Sequence, residues 1–72
     1  MTTTESPPLS FGQRVKGYRL LRGMTQTQLA AKAEVIRKTI YLIESGRTKG
    51  TAKLNTVRQI AAALKVGIED LL

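Results

Sequence analysis

The feature that most constrains this chain is how little sequence separates two helical periods at its centre. Thr25-Gln26-Thr27-Gln28 has the form of a capping box, with Thr at the cap and Gln three residues on. Such a box satisfies two of the backbone N–H groups that a helix start leaves open. Leu29, Ala30 and Ala33 follow as a short apolar face, which predicts a helix from the box to about Ala33. Ile36, Ile40 and Ile43 set a second period that stops at Gly46 and predict a helix over roughly 37–45. Only a turn of three or four residues fits between the two.

The flanks supply three more helical pieces. Ser10 is a good N-cap, and Phe11, Val15, Tyr18 and Arg22 form a stripe that ends at Gly23, a left-handed stop. Leu21 flanks this stripe and Leu20 points nearly opposite it, either exposed or covered by something outside a simple core. Leu54, Val57, Ile60, Ala61 and Leu64 predict a fourth helix, and a short fifth turn runs from Ile68 to Leu72 after Gly67. Between the third and fourth helices, GRTKGTAK has no apolar period and reads as a basic loop. Residues 1–9 read as a flexible N-terminal arm. With no alternating strand pattern and no internal repeat, the expectation is an all-α, compact five-helix domain over residues 10–72.

Composition narrows what such a domain can do. The 72 residues hold no Cys and no His, which leaves no zinc finger, disulfide, thiol nucleophile or imidazole base. Asp70 is the lone aspartate, adjacent to Glu69, and no carboxylate pair stands elsewhere to serve as acid and base. The chain is read as no enzyme, with no cofactor and no metal. No apolar run approaches the ~20 residues of a membrane span, and no signal pattern opens the chain, so no membrane partner and a cytoplasmic location are expected. Net charge is +7. From Arg37 to Arg58 six cations stand against Glu44 alone, a concentration of positive field that suits nucleic acid.

The segment from Thr25 to Gly46, TQTQLAAKAEVIRKTIYLIESG, resembles the helix-turn-helix of phage repressors and Cro, the xenobiotic-response-element-like family of transcriptional regulators. RVKGYR at 14–19, IESGRTK at 43–49 and IAAALKVGIEDLL at 60–72 extend the likeness over residues 10–72. The resemblance implies a lambda-repressor-like fold whose helix-turn-helix is made by helices 2 and 3. It implies a sequence-specific regulator, a repressor or autoregulator, of bacterial or phage origin and nucleoid-associated when bound. As a homodimer it would bind an inverted-repeat operator in double-stranded DNA. On a helical wheel, Thr39, Ile40, Ile43 and Glu44 fall on one side of helix 3, and Arg37, Lys38, Tyr41, Leu42 and Ser45 on the other. An apolar back with a basic front fits a helix that packs on a core while its N-terminus enters the major groove. Base contacts are therefore expected from Arg37, Lys38, Tyr41 and Leu42. Phosphate contacts are expected from Gln26 and Thr25 at the start of helix 2, and from Ser45, Arg47, Lys49 and Lys53 around the loop. Arg19 and Glu44 match a pair that bridges helices 1 and 3 in related repressors, a structural role.

Three positions depart from the family pattern. Glu34 stands in the turn where Gly is common, Ile36 replaces the usual Ser or Thr cap, and Lys65 occupies a common Gly stop. A left-handed Glu34 costs about 1–2 kcal/mol, and an uncapped third helix about 1 kcal/mol. The rival function is that of an antitoxin, which covers a toxin partner and also binds its own operator. Leu20, Leu21, Leu71 and Leu72 would form its contact surface, or equally a homodimer seam.

Overall fold

The computed structural model describes residues 10–46 and 53–72, so the expectations for residues 1–9 and for Arg47 and Lys49 lie outside the described residues. Among the described residues there are five α-helices and no strand. They are α1 (Phe11–Leu21), α2 (Gln26–Ala33), α3 (Arg37–Glu44), α4 (Leu54–Leu64) and α5 (Ile68–Leu71). α2 packs between α3 and α4, while α1 lies across α3 and α5. Val15, Leu29, Ile40, Ile60, Leu64 and Leu71 are fully buried at the centre. Each comes from an apolar period, and together they remove the inner faces of all five helices from water.

The helix boundaries follow from capping. At α2, Gln28 N–H donates to the Thr25 hydroxyl at 3.0 Å, and Thr25 N–H donates to Gln28 Oε1 at 2.9 Å. Ser10 and Gln13 form the same reciprocal box at the head of α1. By contrast, α3 starts from Ile36, which offers no side-chain cap and is 68% exposed. Glu34 closes α2 at φ 61°, ψ 40°, and Lys65 closes α4 at φ 59°, ψ 44°. Both non-glycine residues therefore sit in the left-handed region. The strain expected at Glu34 is present, and Lys65 has it too.

The buried line of α1 is turned from the expected stripe. Gly12, Val15 and Arg19 are buried, Phe11 and Tyr18 only flank the core, and Arg22 is exposed. The reason is a close crossing of helix on helix. A Cβ at Gly12 would lie 2.0 Å from the carbonyl oxygen of Ile43, so the α1 backbone rests directly on that of α3. Arg22 instead donates from Nε to the Leu64 carbonyl at 2.9 Å, tying α1 to the open C-terminal end of α4. Leu20 and Leu21 are 58% and 70% exposed. Leu71 is not part of any such surface. It is a core residue, because α5 folds back onto α4 and α1.

Candidate nucleic-acid interface

α3 separates its two faces sharply. Ile40 and Ile43 are buried, while Arg37, Lys38 and Tyr41 project into solvent on the opposite side. Leu42 is half-buried, so only part of its side chain is available on that outer face, and Ser45 is exposed just past the last turn. The helix thus presents two cations at its N-terminal end, anchored from behind by two isoleucines.

Behind this face lies a chain of polar contacts joining three helices. Arg19 donates to both Glu44 oxygens, from Nε at 2.7 Å and from Nη2 at 3.0 Å, in a fork-to-fork pair. Its Nη1 donates to the Met24 carbonyl at 2.8 Å, in the turn between α1 and α2. The two side chains are only 10% and 4% exposed. The hydrogen bonds with Glu44 raise the guanidinium pKa above its ordinary value, outweighing the opposite effect of burial. Gln26 Nε2 donates to Glu44 Oε1 at 3.2 Å, and Arg37 Nη1 donates to Gln26 Oε1 at 3.2 Å. A carboxylate only accepts and a guanidinium only donates, so one orientation of the Gln26 amide serves both. Arg37, expected at a base edge, and Gln26, expected at a phosphate, are hydrogen-bonded to each other.

Among the other expected phosphate contacts, Thr25 uses its hydroxyl as the α2 cap, and Ser45 Oγ donates to the Leu42 carbonyl at 3.1 Å. Lys53 is exposed at the head of α4. A residue not singled out in the sequence, Lys16, borders the same region. It lines a cleft of about 190 Å³ together with Arg19, Gln26, Tyr41, Glu44 and Ser45. The signal available beforehand was its place on α1, one residue past the buried Val15. Among the described residues no group of His, Cys, Asp and Glu is gathered to hold a metal. No helix there is long and apolar enough to cross a membrane.

Known proteins share this fold. A family model described as helix-turn-helix matches residues 15–71. The chain is 40% identical over 62 residues to the uncharacterized HTH-type transcriptional regulator RghRB of Bacillus subtilis, an overlap of 86% of this chain and 44% of that protein. It is 35% identical over 63 residues to the immunity repressor of Bacillus phage phi105, covering 88% of this chain and 42% of the repressor. The crystal structure of SinR, the master regulator for biofilm formation, in complex with DNA superposes with a TM-score of 0.80 at 30% identity. That match covers 85% of this chain and 95% of the SinR chain, a Bacillus subtilis protein. The fold and its outward basic helix define a lambda-repressor-like DNA-binding domain. The chain belongs to the helix-turn-helix family of xenobiotic-response-element type, a class of DNA-binding transcriptional regulators and not of enzymes. It spans less than half the length of the two relatives just compared.

Proposed function

We propose that this chain is the operator-reading unit of a transcriptional repressor or autoregulator, with the N-terminal half of α3 in the major groove. The observation that carries this reading is the exposed pair Arg37 and Lys38, held at the helix start by the buried Ile40 and Ile43 behind it. Either cation can donate to guanine O6 and N7, and Tyr41 and the free part of Leu42 lie further along the same side. Gln26 and Ser45 line a cleft with Tyr41, and with Thr25 and Lys53 they are assigned to the DNA backbone, where contacts orient the domain without reading sequence. Arg47 and Lys49, outside the described residues, carry the same assignment.

One module of this size makes too few contacts for high specificity, so the unit works as a two-fold dimer on an inverted repeat. Its half-sites lie about 34 Å, or one helical turn, apart. Selecting bound duplexes from a random pool tests this: paired, palindromic half-sites at that spacing are expected, and unpaired sites at monomer stoichiometry would overturn the dimer. The exposed Leu20, Leu21 and Leu72 suit such a seam, and they are also what an antitoxin would offer its partner. Purification without added DNA separates the two, as a homodimer or as a stoichiometric complex with a small second protein.

A further inference from the structure

We propose that Lys16, on α1, is a direct contact to the DNA backbone, and that a phosphate seats in the cleft it borders with Tyr41 and Ser45. This rests on the DNA-binding reading above and extends it to a helix outside the helix-turn-helix. The cleft opens between α1, the head of α2 and the C-terminal end of α3, and its volume is about 190 Å³. At about 30 Å³ per water-sized group, the four oxygens of a phosphate need roughly 120 Å³, so the space suffices.

The electrostatics of the cleft favour an anion. Its floor is the Arg19–Glu44 pair, and the carboxylate there accepts three hydrogen bonds. Oε2 accepts from Arg19, and Oε1 accepts from both Arg19 and Gln26. The floor is therefore neutral as a unit, and among the described residues the ion pair of its one acidic group is with Arg19 and not with Lys16. Lys16 is exposed, and its ammonium adds the net positive charge at the rim. A compact ammonium on a flexible stem meets a phosphate as a point charge and needs no fixed orientation. The position also fits the docking geometry. The cleft shares Gln26, Tyr41 and Ser45 with the α3 face, so a strand running past the recognition helix passes over Lys16 as well.

A comparison of two charge deletions tests the contact. Lys32 is also an exposed lysine, but it lines a different concavity with Arg22, Met24, Ala63 and Lys65. Lys16→Ala and Lys32→Ala remove the same charge, so a long-range field effect moves both alike. Binding of the full chain to its selected duplex and to a random-sequence duplex is measured between about 50 and 200 mM salt. The log–log salt slope of Lys16→Ala should be shallower than wild type by about 0.9 per chain, on both duplexes, while Lys32→Ala keeps the wild-type slope. Lys16→Arg, which keeps the charge, should restore it. Circular dichroism should be unchanged, since the side chain is exposed. Equal slopes for the two alanine variants would overturn the contact. Loss on the selected duplex alone would make Lys16 a base reader, overturning the phosphate assignment. A wild-type chain that binds neither duplex overturns the DNA-binding reading itself, and this proposal with it.

Discussion

α3 is held at two places, and they are built to different standards. At its C-terminal end, α1 crosses it so closely that Gly12 touches the Ile43 carbonyl, and Arg19 grips Glu44 with two charged hydrogen bonds out of water. At its N-terminal end, the turn from α2 runs through a left-handed Glu34 and an uncapped Ile36. The first place is tertiary and over-determined, while the second is local and strained. The difference teaches that the orientation of α3 comes from the helix behind it rather than from the turn that gives the motif its name. Strain in the turn costs about 1–2 kcal/mol, less than removing one partner of the buried pair would.

Breaking the crossing should have the largest effect. Glu44→Ala leaves the buried Arg19 guanidinium without its carboxylate, with only the Met24 carbonyl still accepting from it, and should cost about 3–5 kcal/mol in denaturant unfolding. A loss below 1 kcal/mol would mean that the two places are equals. Gly12→Ala comes next. The added methyl meets backbone rather than a side chain that can swing away, so the helices must part, at about 1–3 kcal/mol. For a domain of this length that is a fall in Tm of several degrees per kcal/mol, easily read by thermal melting.

Changes in the turn should be smaller and opposite in sign. Glu34→Gly removes the Cβ clash at φ 61° and also a carboxylate from the negative end of α2, and should stabilise by about 1 kcal/mol. Lys65→Gly is its control. The backbone is the same at φ 59°, but there the lost charge is a favourable cation at a helix C-terminus, so the gain should be smaller. Identical gains would show that strain alone matters. Smallest is Ile36→Ser, which supplies the missing cap at an exposed position and should add about 0.5–1 kcal/mol. If either turn variant outweighs Glu44→Ala, the comparison is inverted.

The same contrast explains what could be read without coordinates. The five helices, the Thr25 box and the outward Arg37 and Lys38 were legible because each is written in local spacing. The left-handed turn at Glu34 was also legible, from the residue that commonly stands there in the family. The buried face of α1 was not. Gly12 carries no hydropathy, and Arg19 is placed against Glu44 only through the family likeness, 25 residues away and outside any apolar period. Leu71 looked free for the same reason, since its burial depends on α5 returning to α4 and α1. At the interface, the identities of the outward side chains followed from the wheel. The bonds that link Arg37 to Gln26 and Gln26 to Glu44 join residues 11 and 18 apart, a distance at which spacing says nothing.

The contact of Gly12 with Ile43 also makes α3 a lever. The bearing point stands six residues from Arg37, about 9 Å along the helix axis. If the turn holds its end, parting the bearing by about 1 Å swings the helix through roughly 6°, enough to carry the tip of a long side chain past the tolerance of about 0.5 Å that a preorganised contact allows. A methyl group added at the point where α1 meets α3 would thus steer a guanidinium that it never touches. On the reading proposed above, position 12 trims the aim of α3 without changing any residue of its outer face.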